Sequence, residues 1–549
     1  MEIAKEKNVE KLKQRKDTLL IVALLILQCA YMIYWGTQKS GYYVDEFFTY
    51  DNTHYISEST PERVKLYDAD FLEYEKWYDV RDIKSTLVVQ RDESLLQDSL
   101  SYNIYAFTQR WPYMTLLNYV EAIFFEGKLN WWSAIGLNLV CFILNQILIY
   151  QIGMKICQKR NMALFAMALY GFSGMAASML VYVRMYMWLT LLMTIFTYIH
   201  VLMWDEKKHW KNIVLEILTL PFLYLAFKDS PLPVIYGVAL IVCFLIGLLI
   251  RRKWLQALYY GIPLLGGGIV YAITQTDYVK IFMNPHKALE SGTMAVAVSS
   301  LIENMVTLDI HNIGERIINF LHIICRYLFG HSSVVIIYIV IALIMLFMMM
   351  QKKAYPVTAD ETDKNVGFLA VLVGAVILYG MASVVFKLES IRYNSFVFPQ
   401  LAVCIAVIWG YMGKMINKEK VVTVIGFVIL IGEIFFTVST PRVENLYLED
   451  REGVNAIKQH EGIDSVVVDY HWDDCVMYEC LAYTDENTKI MFTSYGFTDY
   501  DKLGNTILVW QNVNKEELIV QDLLRAGYTY IDEIAETHES RVFLCKKES

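Results

Sequence analysis

The feature that most constrains this 549-residue chain is a series of separate apolar runs, each about as long as a membrane-spanning helix. About 20 helical residues, rising about 1.5 Å each, cross a hydrocarbon layer of about 30 Å. The runs cover residues 18–36, 131–154, 161–180, 186–204, 211–227, 232–250, 254–273, 333–350, 366–386, 395–413 and 421–438. They predict a polytopic α-helical membrane protein with about 11 transmembrane helices.

The composition agrees with this prediction. Hydrophobic residues make up 56% of the chain and charged residues only 19%, against about 25% charged residues in an ordinary soluble domain. Purely cytosolic, fibrous and disordered proteins are therefore excluded. The net charge of −9 argues against a nucleic-acid-binding protein. The nine cysteines include no CxxC pair and mostly lie in or beside apolar runs, which is not the pattern of a disulfide framework.

The distribution of lysine and arginine predicts the orientation. When the runs are threaded alternately through the membrane, five basic loops fall on the same side as the basic N-terminus: Lys155/Lys159/Arg160, Lys207/Lys208/Lys211, Arg251/Arg252/Lys253, Lys352/Lys353 and Lys414/Lys418/Lys420. Short cytoplasmic loops hold an excess of such residues. We therefore expect a multi-pass protein of the cell membrane with a cytoplasmic N-terminus. An odd number of spans places the C-terminus outside.

Three parts follow from this threading. Residues 1–17 form a basic cytoplasmic segment, residues 18–438 a transmembrane domain with large external loops at 36–130 and 274–332, and residues 439–549 an extracytoplasmic domain. The second loop ends in ERIINFLHIICRYLFG, the pattern of an amphipathic helix along the interface. The tail alternates strand and helix patterns, which predicts a small α/β domain with a largely parallel sheet.

The stretch GYYVDEFFTY lies just outside the first span and contains the adjacent acids Asp45 and Glu46. Its aromatic residues are typical of a membrane interface. A carboxylate partly removed from water takes up a proton more readily, so this pair is suited to general-base chemistry. The alternative is a solvated acidic loop, because adjacent Asp-Glu pairs are common.

Two arginines lie at outward turns, against the positive-inside bias. Arg184 is followed by Tyr186, and Arg392 by Tyr393. The planar donor fork of arginine suits phosphate. The alternatives are a membrane anchor for Arg184 and an ion pair with Glu389 for Arg392. Another outward turn holds Lys228 and Asp229, which a mutual ion pair explains.

No metal ligands can be assigned from the sequence. Asp68-Ala-Asp70 has the DxD spacing of metal-nucleotide glycosyltransferases, but chance explains it in so acidic a loop. His471-Trp-Asp-Asp474 is better explained as a turn with an aspartate helix cap. The sequence therefore identifies no certain cofactor and leaves a divalent metal ion open.

The order of these pieces resembles the GT-C glycosyltransferases, in particular the protein O-mannosyltransferase-like and aminoarabinose-transferase-like group that uses polyprenyl-phosphate sugars. Four stretches carry the resemblance: YYVDEFFTY, QRWPYMTLLNYVEAIFFEG, VYVRMYMWLTLLM and ESIRYNSFVFPQLA. The chain departs from the pattern at Trp111-Pro-Tyr, which has one proline where relatives often have His-Pro-Pro.

The resemblance implies transfer of a sugar from a polyprenyl-phosphate donor, undecaprenyl phosphate in a bacterium, to a hydroxyl of a glycan, lipid or protein acceptor outside the membrane. Asp45 would be the base and Glu46 would orient it. Arg184, Arg392, Tyr186 and Tyr393 would bind the donor phosphate. The alternative is a polytopic transporter or lipid flippase, but the sequence shows neither an internal repeat nor charges near the middle of the spans.

Overall fold

The computed structural model describes residues 2–54, 73–89, 112–274, 313–351, 359–440, 442–468, 476–493, 502–514 and 518–547. The chain divides into two compact units. The helical unit comprises Met1–Ile33, Asn138–Leu180 and Met185–Val443, and the sheet unit comprises Tyr34–Leu137, Val181–Arg184 and Glu444–Ser549.

Helices dominate the described residues. They are α1 (Glu2–Gln38), α2 (Val44–His54), α3 (Val80–Lys84), α4 (Pro112–Phe124), α5 (Trp132–Cys157), α6 (Arg160–Gly171), α7 (Gly174–Val181), α8 (Tyr186–Asp205), α9 (His209–Asp229), α10 (Leu232–Ile250), α11 (Trp254–Thr274), α12 (Ile313–Leu328), α13 (Ser332–Gln351), α14 (Ala359–Val385), α15 (Ile391–Asn394), α16 (Phe398–Met415), α17 (Glu419–Ser439), α18 (Asp450–Lys458), α19 (Val476–Tyr483) and α20 (Leu518–Arg525).

The helices confirm a multi-pass membrane protein. Within the described residues, eight helical segments are long and apolar enough to cross a membrane, or up to ten spans if two bent helix pairs count as one each. The eight are Thr18–Gln38, Trp132–Cys157, Tyr186–Asp205, His209–Asp229, Leu232–Ile250, Gly367–Val385, Ile391–Met415 and Glu419–Ser439. The predicted span at 254–273 coincides with α11, whose side chains beyond residue 266 lie outside the described residues. The number of about 11 spans thus stays a prediction.

Two bends interrupt apolar stretches in the helical unit. The predicted span at 161–180 consists of α6 and α7, which meet at 52°, and the Ser173 hydroxyl accepts a hydrogen bond from Ala176 N at the start of α7. The stretch predicted as an amphipathic interfacial helix is helical and forms α12, which meets α13 at 95°. Its location at the membrane interface stays a prediction. Gly330 in this bend has φ +69°, and an added Cβ would lie 2.9 Å from Thr437 Oγ1. Glycine permits this turn because it has no side chain to clash.

The sheet unit contains a six-stranded sheet. Its strands are β1 (Trp77–Asp79), β2 (Ser465–Val468), β3 (Lys489–Thr493), β4 (Thr506–Asn512), β5 (Tyr528–Glu536) and β6 (Ser540–Lys547), in the order β1-β3-β2-β4-β6-β5. The prediction of a largely parallel sheet is wrong. Among the strands of the described residues, β2 pairs in parallel with β3 and β4, whereas β1–β3, β4–β6 and β5–β6 are antiparallel.

Two features of the chain explain the mixed sheet. The connection from β5 to β6 is only three residues long, and so short a link joins antiparallel strands. Strand β1 comes from residues 36–130, which the sequence predicts to be an external loop, and local sequence could not assign it to the sheet in the tail. The core on one face is apolar and includes Val466, Val509, Leu523 and Phe543. Burying each such side chain contributes about 1.5–3 kcal/mol.

Candidate functional site

The acidic motif forms the first turn of α2 in the sheet unit. Asp45 and Glu46 lie where the helix dipole favours negative charge. Glu46 Oε2 accepts a hydrogen bond from Tyr43 N at 2.9 Å, while Glu46 N donates to Tyr43 O at 2.8 Å. A glutamate at this position that reaches back to the residue before the helix is the acidic half of a capping box. Glu46 therefore fixes the point at which α2 begins.

A buried lysine neutralises Glu46. Lys39 Nζ lies 3.0 Å from both carboxylate oxygens, and the side chains of both residues are completely buried. The same ammonium donates to Asn445 O at 2.8 Å, so each of its three protons has an acceptor. Burial lowers the pKa of Lys39, and Glu46 opposes that shift. The ion pair ties the end of α1 to the start of α2 and to the chain near Asn445.

Residues 182–184 bind the same turn of α2. Tyr182 OH donates to Asp45 Oδ2 at 3.0 Å, and Val183 N donates to Glu46 Oε1 at 2.8 Å. Arg184 Nη1 donates to Asp45 O at 2.9 Å and to Thr49 Oγ1 at 3.3 Å. Three consecutive residues thus hold a helix that lies about 137 residues earlier in the chain.

The two acids have different surroundings. Glu46 is fully buried, and its carboxylate is occupied by Lys39 and two backbone N–H groups. Asp45 is half-buried, and the Tyr182 hydroxyl orients its Oδ2. The arrangement suits Asp45 for proton transfer with a molecule from outside, because a general base must come within hydrogen-bond reach of the proton that it removes. Glu46 suits a positioning role.

The other predicted phosphate-binding residues lie in the helical unit. Tyr186 is the first residue of α8 and is buried. Arg392 lies on α15, its Nη2 donates to Tyr393 OH at 3.2 Å, and its guanidinium carbon lies 5.1 Å from the centre of that ring. Tyr379 OH donates to Tyr393 O at 2.8 Å. The structure thus brings Asp45, Glu46 and Arg184 together in one unit, and Arg392 and Tyr393 together in the other.

Several predicted alternatives can also be placed. Asp229 Oδ2 accepts a hydrogen bond from Trp188 Nε1 at 2.9 Å, so a mutual pair with Lys228 is not its whole environment. Asp68 and Asp70 lie outside the described residues, as does the His471–Asp474 segment. Trp111 is likewise outside them, and helix α4 begins at the next residue, Pro112.

Sequence reasoning missed Lys39, Tyr182 and Asn445. A signal for Lys39 was present, because a lysine directly after the first span opposes the positive-inside bias on the predicted outer side. Such a cation calls for an acidic partner nearby, and Glu46 follows seven residues later. Tyr182 and Asn445 left no comparable signal, since they act through contacts with distant segments.

One group of side chains in the described part of the chain could hold a metal ion, and the sequence did not predict it. Asp450, Glu479 and His538 each offer a ligand atom, and these atoms all lie within 4.8 Å of one another. All three residues belong to the sheet unit.

Comparison with known proteins identifies structures that have a similar fold. No protein-family model and no curated protein matches the chain. Solved structures do match, among them the crystal structure of ArnT from Cupriavidus metallidurans bound to undecaprenyl phosphate. It is 11% identical and has a TM-score of 0.51, and the match covers 96% of this chain and 97% of that chain. The apo state of the same protein matches with equal identity and coverage and a TM-score of 0.49. At this identity the likeness shows the fold alone: the chain has the fold of that ArnT structure, as the resemblance to the aminoarabinose-transferase-like group predicted.

Proposed function

We propose that this protein transfers a sugar from a polyprenyl-phosphate donor to an acceptor hydroxyl on the extracytoplasmic face of the membrane. One observation carries the proposal: residues 182–184 are hydrogen-bonded to Asp45, Glu46 and Thr49. The guanidinium of Arg184 is therefore bonded to the main chain of Asp45, a residue that is half-buried. The fold of the chain matches a protein crystallised with undecaprenyl phosphate.

The composition of the sheet unit supports the proposed orientation. The sheet unit contains the loop that follows the first span, the turn at Val181–Arg184 and the tail that follows α17. These are segments that the distribution of lysine and arginine places outside the membrane. Their grouping in one compact unit agrees with a cytoplasmic N-terminus and an extracytoplasmic C-terminus.

Asp45 acts as the general base in the proposed reaction. Its carboxylate accepts the proton of the acceptor hydroxyl as that oxygen bonds to the anomeric carbon. The bond from this carbon to the phosphate oxygen breaks on the opposite face, and the polyprenyl phosphate leaves with the electron pair. A single displacement inverts the anomeric configuration. Asp45 then releases its proton to water, and Tyr182 and the Lys39–Glu46 pair keep the carboxylate in place throughout.

Arg184 stabilises the negative charge that grows on the leaving phosphate. Its Nη1 donates to Asp45 O and to Thr49 Oγ1, which holds the guanidinium at the first turn of α2. Arg392, with the neighbouring Tyr393, and Tyr186 are proposed as further donor-binding residues. The preference of a planar guanidinium for two-point contact with phosphate oxygens supports the choice of the arginines.

Two substitutions separate the proposed roles. In cells that lack the native gene, Asp45→Asn should lower sugar transfer by about 10²–10⁴-fold, the usual contribution of a general base. The purified variant should still bind undecaprenyl phosphate in nanodiscs with wild-type affinity. Arg184→Ala should instead weaken that binding by about 10–100-fold, because a hydrogen bond to a charged group contributes about 1.5–3 kcal/mol.

Mass spectrometry of the cell-envelope glycans measures transfer, and native mass spectrometry measures lipid binding. Asp82→Asn is a matched control, since Asp82 is an exposed aspartate on α3. It should transfer normally. Wild-type glycans in cells that contain only the Asp45→Asn protein would contradict the proposed base. A deletion strain with unchanged glycans and an accumulated solute would favour a transporter.

A further inference from the structure

Three segments of the sheet unit meet at a buried group of ligand-forming side chains. Asp450 is the first residue of α18, Glu479 lies on α19, and His538 lies in the turn between β5 and β6. The carboxylate side chains are 0% and 1% exposed, and the imidazole is 15% exposed. Burial of two acids beside one imidazole is costly unless their charge is compensated.

Each carboxylate is oriented through one oxygen and offers the other. Asp450 Oδ1 accepts a hydrogen bond from His538 N at 2.9 Å. Glu479 Oε2 accepts hydrogen bonds from Thr537 Oγ1 at 2.5 Å and from Ser540 Oγ at 2.6 Å. The remaining oxygens face His538 Nδ1, with Asp450 Oδ2 at 2.5 Å and Glu479 Oε1 at 3.2 Å. Outer partners that fix ligands in this way are typical of metal sites.

Hydrogen bonds within the protein do not satisfy all the polar atoms of Asp450, Glu479 and His538. A ring nitrogen carries at most one proton, so Nδ1 can bond only one carboxylate, and it lies closer to Asp450. Within the described part of the chain, Glu479 Oε1 is buried and accepts no hydrogen bond. One divalent cation between the three ligand atoms would satisfy both carboxylates and the nitrogen together.

We propose that Asp450, Glu479 and His538 form a binding site for Zn²⁺. One imidazole nitrogen and two carboxylate oxygens form a ligand set that suits zinc, whereas Mg²⁺ prefers oxygen alone. With bonds of about 2.0–2.2 Å, the ligand atoms of tetrahedral zinc lie about 3.3 Å apart. The distance of 3.2 Å between Nδ1 and Glu479 Oε1 fits this arrangement. Asp450 Oδ2 would withdraw from Nδ1 by about 0.8 Å when zinc replaces the proton between them.

The site braces the loop that leads into α2. A Cβ added at Gly41 would lie 2.5 Å from Asp450 Oδ2, so the backbone of this loop packs directly against the ligand. The ring of Tyr447 stacks on His538 with centres 4.3 Å apart, and Lys39 Nζ lies 5.4 Å from the centre of the Tyr447 ring. Zinc would therefore fix the segment on which the Lys39–Glu46 pair rests. Its role is structural, so the proposal does not depend on the transferase activity.

The test measures metal in the full-length protein, purified without a histidine tag and freed of weakly bound ions by brief treatment with a chelator. Zinc is then added, excess is removed by gel filtration, and bound metal is counted by mass spectrometry. We expect about one zinc per chain and X-ray absorption that shows only nitrogen and oxygen neighbours. Glu479→Gln should lower the zinc content more than tenfold, whereas Glu452→Gln, at an exposed acid on α18, should leave it unchanged.

Ser540→Ala provides a milder variant in case Glu479→Gln does not fold. It removes one donor to Glu479 Oε2 and should weaken zinc binding by about tenfold, as loss of an outer-shell partner does. Zinc should also raise the Tm of the metal-free wild-type protein. Less than a tenth of an equivalent of zinc in wild-type protein at saturating metal would overturn the proposal and leave a metal-free hydrogen-bond network. Equal zinc binding by wild type and Ser540→Ala, together with sulfur neighbours in the absorption spectrum, would place the metal elsewhere.

Discussion

Glu46 and Glu121 are both buried glutamates of the sheet unit, but their side chains have different partners. Glu46 meets a buried ammonium and two backbone N–H groups. Glu121 on α4 receives a hydrogen bond from Ser133 Oγ at 2.8 Å, and its Oε2 accepts none from the described residues. Burial raises the pKa of Glu121 to about 8, while Ser133 opposes the shift. Burial makes the ionised form of a carboxyl group unfavourable, and the neighbouring groups determine how far that effect is compensated.

This difference bears on the proposed site. A buried ion pair is a weak source of stability, because removing two charges from water offsets most of their attraction. Glu121 meets the Ser133 hydroxyl, whereas Glu46 has the ammonium of Lys39 beside it. Glu46 directly follows Asp45 in the first turn of α2, and through Lys39 it is linked to the end of α1 and to Asn445. We infer that the Lys39–Glu46 pair serves to hold α2 in place, and the four variants below test this contrast.

The largest effect is expected for Lys39→Met, which should make the environment of Glu46 resemble that of Glu121. Removing one partner of a buried pair leaves an uncompensated charge and costs about 3–5 kcal/mol. The variant should lose that much in its free energy of unfolding, and sugar transfer should fall because Asp45 is no longer held. Denaturant titration in detergent and the glycan assay measure the two losses.

Adding Glu46→Gln to Lys39→Met is the control for this prediction. The double variant has no buried charge at this position, so it should recover most of the lost stability. If Lys39→Met alone were as stable as wild type, the contrast with Glu121 would be wrong. Recovery of stability without recovery of transfer would assign the pair a positioning role.

Glu121→Gln should change how stability depends on pH. The folded pKa of about 8 lies above the ordinary value of 4.5, so the folded state holds a proton that the unfolded state has released. This group therefore stabilises the fold fully below pH 4.5, and its contribution declines as pH rises towards 8, by about 1.4 kcal/mol per unit. Glutamine cannot ionise, so the variant should lack this decline. Unfolding of both proteins between pH 5 and 9 measures the difference, and parallel curves would refute a neutral Glu121.

Ser133→Ala should have the smallest effect. It removes a hydrogen bond that favours the ionised form of Glu121, so the pKa of Glu121 should rise further and the free energy of unfolding should fall by about 1 kcal/mol. The infrared carbonyl band of a protonated acid, measured against pH and identified by its loss in Glu121→Gln, reports this pKa. A shift to lower pH would show that Ser133 instead stabilises the neutral carboxyl.

Much of the architecture could be predicted from local sequence. The apolar runs predicted membrane helices, and the alternating pattern in the tail predicted a sheet domain. Local sequence did not predict two details of the fold, and the reason is the same for both. The sheet is mixed and includes β1 from the first loop, and the stretch at 161–180 is bent by 52°. Strand direction and helix bends depend on what packs against a segment, and a local pattern does not contain that information.

The sequence by itself determined that this is a multi-pass membrane protein, and it singled out Asp45, Glu46, Arg184 and Arg392. Helix length and hydrophobicity are properties of consecutive residues, so they can be read along the chain. Only the tertiary structure decided that Lys39 neutralises Glu46, that residues 182–184 bind α2, and that Asp450 meets a histidine 88 residues later. The physical reason is that a buried polar group needs a hydrogen-bond partner. Which residue becomes that partner depends on which distant segments of the chain pack against the group in the folded protein.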